Sequence, residues 1–316
     1  MRSLVAFQNR LYALNKREIV KSTDGGESWA PVNFGTEKNA PYDPDFPYQR
    51  LVVADGIPYG VFLEGKDIYG SSSPIIEKNN LRIFRLSADG NTLRSVQGLP
   101  GLEFDGNHYS KDLLTGEVTF GELAVSNDTF YIEYRRELFK CKRGTQKWIS
   151  TGLMDPGKQP RNNLKGFQLA VSGETVYVGK RDGKLFQSFD GGNNWKDVTP
   201  NLPLPFSRFR EIIFAGSTVY VATNKGVLTS QTGEHWHVLT DTEGERLMIT
   251  SLAVDGTTVY GVRNAGAYRL DNSSKWKKVS PAVPDGIREL VFAKDKLYII
   301  TNQRGIFHIP LGNESG

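Results

Sequence analysis

The chain has a single cysteine, three methionines and four histidines in 316 residues, and these scarcities exclude several chemistries. One cysteine rules out an internal disulfide. Cys141 lies in Leu138-Phe139-Lys140-Cys141-Lys142, which reads as a strand, so a buried structural thiol is expected. No run of 18 apolar residues occurs, which excludes a membrane-spanning helix. The N-terminal Met-Arg-Ser-Leu-Val-Ala-Phe lacks the apolar run and cleavage site of a signal peptide. The compartment is left open between cytoplasmic and secreted or periplasmic, the latter requiring a leader or upstream domain. His108, His235, His237 and His308 are scattered, with no Cys or Asp at ligand spacing, so no metal site is expected. Neither a phosphate-binding Gly-Lys-Ser/Thr loop nor a strand–GxGxxG–helix unit is present, and no cofactor is expected. A net charge of +4 is too mild to imply nucleic acid. No segment holds a 3.6-residue apolar period with caps, so helix content should be close to nil.

What is present is a repeat. An apolar strand, a short turn and a second strand with a fixed tyrosine recur seven times, as in SLVAFQNRLYAL, QLAVSGETVYVG and ELVFAKDKLYII. The tyrosines are Tyr12, Tyr59, Tyr131, Tyr177, Tyr220, Tyr260 and Tyr298, separated by 47, 72, 46, 43, 40 and 38 residues. Only one interval departs from the period of propeller repeats, and it needs an insertion of roughly 25 residues. All five tryptophans, Trp29, Trp148, Trp195, Trp236 and Trp276, stand 16 to 18 residues after their tyrosine. A third strand lies between Tyr and Trp and a short fourth follows Trp. Each repeat is therefore strands A, B, C and D of one blade, and the fold expected is an all-β, seven-bladed β-propeller of four-stranded antiparallel blades. Blades are placed at about 1–34, 49–98, 120–153, 166–200, 209–241, 249–281 and 287–311, as one domain over 1–311 with a tail at 312–316. The 38% hydrophobic content suits many small sheet-to-sheet interfaces better than one large core. Blade 7 stops after strand C, so either it has three strands or further native sequence completes it. The reading favours a module of a longer chain.

The C–D turns carry the most specific signature. Ser22-Thr-Asp24-Gly-Gly26-Glu-Ser-Trp29 and Ser188-Phe-Asp190-Gly-Gly192-Asn-Asn-Trp195 both fit S-x-D-x-G-x-x-W, the Asp box. The Asp accepts hydrogen bonds from backbone N–H groups of its own turn, Gly takes the φ > 0 position, and Trp packs the hairpin onto the blade. Ser230-Gln-Thr-Gly-Glu-His-Trp236 is a shortened copy, the turns before Trp148 and Trp276 are eroded, and blade 2 has Leu93 in place of Trp. These boxes resemble those of sialidases, sortilin-type receptors and the Ycf48/Hcf136 photosystem II assembly-factor group. The resemblance implies that the boxes are structural and lie on the face away from the binding site. Asp24 and Asp190 are accordingly not catalytic candidates.

Resemblance to sialidases implies an enzyme hypothesis, with three arginines gripping a carboxylate substrate and a carboxylate acting on the glycosidic bond. Aligning the strand A segments on Tyr puts Arg2, Arg210 and Arg288 at one position, which Gln49, Gly121, Phe167 and Thr250 fill elsewhere. Such arginines could fork onto a carboxylate. The next position holds Ser3, Arg50, Glu122, Gln168, Glu211, Ser251 and Glu289, of which Glu122, Glu211 and Glu289 are the glutamates suited to glycoside chemistry. The chain departs from that family in lacking an Arg-Ile-Pro motif, in having seven blades rather than six, and in offering no evident Asp acid. The alternative is that Arg210-Glu211 and Arg288-Glu289 are ion pairs plugging a channel mouth.

Strand alternation puts B–C and D–A loops at one end of each blade and A–B and C–D loops at the other. All the length variation falls on the B–C/D–A side: the insertion at 64–80 and the long connections near 35–48, 101–117 and 154–165. Long loops on a rigid scaffold are where binding usually resides. They carry Tyr42, Phe46, Tyr48, Tyr69, Phe104, His108 and Tyr109. The B–C turns on the same side are basic, with Lys16-Arg17, Arg135-Arg136, Lys180-Arg181, Lys225, Arg263 and Arg304. Resemblance to the Ycf48/Hcf136 group implies an arginine-rich face used for protein docking. The function expected is a non-catalytic scaffold that docks an acidic partner, a protein or an acidic glycan; the alternative is a sialidase-like glycoside hydrolase or lectin.

Overall fold

The computed structural model describes residues 3–14, 18–34, 49–54, 56–64, 80–100, 102–103, 120–134, 136–145, 147–155, 166–280, 286–301 and 304–311. Its strands group into six hydrogen-bonded sheets, one of which is two antiparallel four-stranded sets, the fifth and sixth below, joined edge to edge. The first contains β1 (Ser3–Phe7), β2 (Arg10–Leu14), β3 (Ile19–Ser22) and β4 (Ala30–Pro31). The second contains β6 (Gln49–Ala54), β7 (Ile57–Glu64), β8 (Asn80–Leu86) and β9 (Thr92–Ser95), with β5 (Asn33–Phe34) added beside β9 and β10 (Leu102–Glu103) paired to β8. The third is β11 (Phe120–Ser126), β12 (Thr129–Tyr134), β13 (Glu137–Lys142) and β14 (Ile149–Met154), and the fourth β15 (Gln168–Ser172), β16 (Thr175–Gly179), β17 (Leu185–Ser188) and β18 (Lys196–Asp197). The fifth is β19 (Phe209–Ala215), β20 (Thr218–Thr223), β21 (Gly226–Ser230) and β22 (His237–Asp241), and the sixth β23 (Ser251–Asp255), β24 (Thr258–Arg263), β25 (Gly266–Leu270) and β26 (Lys275–Lys278). The seventh has three strands among the described residues, β27 (Ile287–Ala293), β28 (Lys296–Thr301) and β29 (Ile306–Pro310). The helical element among the described residues is one 3₁₀ turn, Thr199–Asn201.

The order within each sheet follows the chain, because two-residue A–B hairpins leave no room for a crossover. Gln8 and Asn9, Asn127 and Asp128, and Lys294 and Asp295 all take positive φ, as type I′ turns require. The outer edges are joined in a way the repeat pattern did not anticipate. Asn33–Phe34, counted with the first blade by sequence, runs parallel to β9 of the second sheet, and β22 runs parallel to β26.

Two compact units are distinguishable, Met1–Ser150 and Thr151–Gly316. In neither does one core dominate. The apolar clusters lie between successive sheets: one joins Tyr12 and Leu14 to Phe84 and Leu93, and another joins Tyr59 and Val61 to Phe130 and Trp148. In the second unit, clusters join Tyr177 to Phe209 and Trp236, Ala222 to Ile249 and Trp276, and Tyr260 to Leu297 and Ile299. Tyr12, Tyr59, Tyr177 and Tyr260 sit where strand B meets the next sheet. Tyr59 packs edge-on to Phe130 at 5.7 Å, Tyr177 edge-on to Trp236 at 6.0 Å, and Tyr260 stacks on Phe292 at 5.7 Å. Leu93 fills the place that tryptophan takes elsewhere and is fully buried. Cys141 is buried too, its thiol pushed above the ordinary value by desolvation.

Candidate functional site

The turns at 22–29 and 188–195 share one hydrogen-bonding scheme. Asp24 Oδ1 accepts from Ser22 Oγ at 2.7 Å, from the Glu27 N–H at 3.1 Å and from the Ser28 N–H at 3.0 Å. The Gly26 N–H donates to Ser22 Oγ at 2.7 Å, and Trp29 Nε1 donates to the Gly26 carbonyl at 3.0 Å. Asp190 Oδ1 likewise accepts from Ser188 Oγ at 2.7 Å and from the N–H groups of Asn193 at 3.0 Å and Asn194 at 2.9 Å. The Gly192 N–H donates to Ser188 Oγ at 2.8 Å. Gly26 and Gly192 have φ of 98° and 79°, where a β-carbon is strained. Trp195 Nε1 reaches the Thr151 carbonyl at 3.2 Å. Donors crowd these carboxylates, so both are held well below the usual carboxylate range, Asp24 chiefly by the Ser28 hydroxyl and Asp190 chiefly by the Asn194 N–H. Each carboxylate is spent on its own turn.

Two further turns use the same device. Asp89 is lowered to about 2, chiefly by the Ser87 hydroxyl. Asp271 accepts from the N–H groups of Ser273 and Lys275 at 2.9 and 2.8 Å. Sequence reasoning missed Asp271 because no serine precedes it by two; its signal was an Asp at the start of the short turn before Trp276.

The next sheet's turn is latched by the repeated tyrosine. Tyr12 Oη donates to the Gly90 carbonyl at 3.0 Å, and a β-carbon on Gly90 would overlap that hydroxyl. In the fourth sheet a glutamine extends the reach: Gln187 Nε2 bonds Tyr177 Oη and also the Thr232 carbonyl at 3.1 Å. Burial pushes the Tyr177 hydroxyl up to about 12.

The strand A positions singled out by alignment fall at irregularities of the ladder. In the fifth sheet Phe209 pairs with Thr223 but Glu211 with Ala222, so Arg210 is the extra residue of a bulge. Arg288 holds the same place between Ile287 and Glu289, and the third sheet shifts register between Phe120 and Leu123, around Gly121 and Glu122. The neighbouring position links inner strands. Ser3 Oγ donates to the Leu51 carbonyl at 3.0 Å, Glu211 Oε2 accepts the Leu252 N–H at 2.6 Å, and Ser251 Oγ accepts the Leu290 N–H at 3.3 Å. Glu122, Glu211 and Glu289 are all half-buried.

The basic B–C turns divide into two kinds. In these turns Lys225 and Arg304 are exposed and Arg263 half-buried, while Arg208 just before β19 is exposed and Arg210 within it half-buried. Thr223 and Thr301 hold the turns of Lys225 and Arg304 through hydrogen bonds to the Gly226 and Gly305 carbonyls, at 2.8 and 3.0 Å. Arg181 is different. Expected among the presented cations, its side chain is 5% exposed and its Nη1 lies 2.9 Å from Asp155 Oδ2, whose side chain is 1% exposed. Its guanidinium also covers the Phe167 ring, and the adjoining Lys180 is buried against Phe186. The apolar stems and an acidic partner 26 residues away draw this pair inward, so it is not a presented cation. Asp155 and the fully buried Glu133 were missed, since neither lies in a spacing pattern.

Arg2, Arg135, Tyr48, Tyr69, Phe104, His108 and Tyr109 lie outside the described residues, as do the side chains of Arg50 and Arg288. Among the described residues no cluster of three or more His, Cys, Asp or Glu could hold a metal, and no helix is long and apolar enough to cross a membrane.

No family model and no curated protein matches the chain. Solved structures do match in fold. YCF48 from Cyanidioschyzon merolae aligns at 13% identity over 96% of this chain and 94% of its own, with a TM-score of 0.55. BamB from Moraxella catarrhalis aligns at 11% identity over 98% and 84%, with a TM-score of 0.52. The extracellular domain of the hybrid two component system BT4673 from B. thetaiotaomicron aligns at 15% identity over 97% of this chain but 37% of its own, with a TM-score of 0.59. The all-β order of antiparallel sheets built from consecutive strands is thus that of a β-propeller.

Proposed function

We propose that the chain is a non-catalytic binding scaffold, one propeller over 1–311, that docks an acidic protein partner on its B–C/D–A side. The observation that carries this reading is the state of the described B–C turns. Lys225 and Arg304 in these turns, and Arg208 in the D–A connection before β19, are exposed on backbone that Thr223, Thr301 and Asn224 hold in place, Asn224 Oδ1 accepting the Ser207 and Arg208 N–H groups, each at 3.2 Å. Cations on pre-ordered turns lose little entropy on binding and steer an acidic partner. In this reading the S-x-D-x-G-x-x-W turns are Asp boxes, and the aromatics of the long loops, Tyr48, Tyr69, Phe104, His108 and Tyr109, contribute contacts beside Arg2, Arg50, Arg135, Arg210, Arg263 and Arg288.

A glycoside hydrolase would need Glu122, Glu211 or Glu289 to serve the substrate. Against it, the Glu211 carboxylate is already committed to the Leu252 amide. A fluorogenic sialoside assay separates the two readings. The scaffold predicts no turnover above that of a Glu122→Gln/Glu211→Gln/Glu289→Gln variant, and turnover abolished by those substitutions would refute it.

A further inference from the structure

The ladder register sets like charges opposite one another on the outer strands of the second sheet. In several sheets the repeated tyrosine faces a cation on strand C: Tyr12 faces Lys21, Tyr59 faces Arg85, Tyr131 faces Lys140 and Tyr260 faces Arg269. In the second sheet the row continues outward, with Arg85 directly opposite Arg94 on β9. Both arginines are exposed, and among the described residues neither makes a hydrogen bond or an ion pair within 4.0 Å. Like charges directly opposite on an antiparallel pair are destabilising. Nor does the fold require a cation there, since the neutral Gln187 and Thr229 hold the same position in the fourth and fifth sheets and are hydrogen-bonded.

More positive charge converges on the turn that joins these two strands. Arg10 Nη1 donates to the Asp89 carbonyl and Lys21 Nζ to Asn91 Oδ1. The one carboxylate of that turn, Asp89, accepts from the Ser87 hydroxyl and from the Asn91 N–H at 3.0 Å. It therefore only partly offsets four cations. We propose that the Arg85–Arg94 doublet is a docking site for a carboxylate-rich polypeptide segment. Two guanidinium groups on neighbouring strands present parallel forks to carboxylates, and an anion between them removes the repulsion that the bare doublet carries. The row offers no exposed ring on which a base could stack, because Tyr59 is buried, and this favours a polypeptide over a single-stranded nucleic acid. The site stands apart from the B–C turns and does not depend on the scaffold reading.

The test measures binding of a fluorescein-labelled octaglutamate peptide to the whole chain by anisotropy at low salt. Arg85→Gln and Arg94→Gln should each weaken binding about threefold, and the double variant about tenfold, in keeping with exposed ion pairs. Lys142→Gln/Lys147→Gln, which removes the same charge from exposed positions outside this row, should bind as the wild type does, which separates the site from a general effect of net charge. Without peptide, the double variant should melt at or above the wild-type temperature, since only repulsion has been removed. Absence of wild-type binding, unchanged affinity in the double variant, or a lowered melting temperature would each overturn the proposal. Equal binding of an oligothymidylate of matched charge, lost in the same variant, would overturn the assignment to polypeptide.

Discussion

Gly233→Ala tests the latch between a repeated tyrosine and the next sheet's turn. Gly233 has φ of 77°, and a β-carbon there would lie within 2.6 Å of Gln187 Cδ. Holding alanine in the left-handed region costs about 1–2 kcal/mol. The Gln187 amide must also swing away, which strips a partner from the buried Tyr177 hydroxyl and from the Thr232 carbonyl at about 1–3 kcal/mol. Together the change should cost about 3 kcal/mol in urea unfolding, seen as a lowered midpoint at constant slope. In a Gln187→Ala background the space is free and the latch already broken, so Gly233→Ala should then cost only the backbone term, about 1 kcal/mol. The expected coupling is therefore about 2 kcal/mol. Equal cost in both backgrounds would mean that the turn is not held by Gln187, and the latch reasoning would fail.

Three other outcomes follow from the same geometry. Asp155→Ala should destabilise by about 3–5 kcal/mol because it strands the buried Arg181, whereas Asp155→Leu/Arg181→Met should cost much less; calorimetry on the three proteins decides it. Tyr177 is raised from the ordinary 10.0 to about 12, so the folded state favours its neutral form and holds its proton where the unfolded chain loses it. That contribution is whole below pH 10 and is lost as pH rises toward about 12; the urea midpoint of wild type should fall more steeply over this window than that of Tyr177→Phe. Asp24 and Asp190 are shifted the other way, so their contribution is present above the ordinary carboxylate value of 3.8 and lost as pH falls below it. An Asp24→Asn/Asp190→Asn variant should have a flatter acid limb in unfolding monitored by tryptophan fluorescence, and an unchanged limb would refute the assigned hydrogen bonds.

The parts legible in the sequence are those where one residue type performs one task in every repeat. Tyr12, Tyr59, Tyr177 and Tyr260 all meet the following sheet, so their spacing tracked the repeat of the strands. The two turns containing Asp24 and Asp190 were readable because Ser, Asp, Gly and Trp act within eight residues of chain. What stayed hidden depended on partners far apart in sequence or on register. Arg181 looked like one more turn cation, since nothing in Lys180-Arg181-Asp182 announces Asp155. Aligning on Tyr did bring Arg210 and Arg288 to one position, but only the ladder shows that the position is a bulge. The Arg85–Arg94 doublet needed the pairing of β8 with β9, which the Ser87-Ala-Asp89-Gly90 turn implies but does not number.

The central claim, that the chain docks an acidic protein through the cations of its B–C/D–A side, is tested most directly by quantitative affinity enrichment. Immobilised wild type is compared with an Arg208→Ala/Arg210→Ala/Lys225→Ala/Arg263→Ala/Arg288→Ala/Arg304→Ala variant, after circular dichroism has shown both to be folded. The account predicts a discrete acidic protein held by the wild type, released by moderate salt and lost from the variant. Equal retention of the same proteins by both would contradict it.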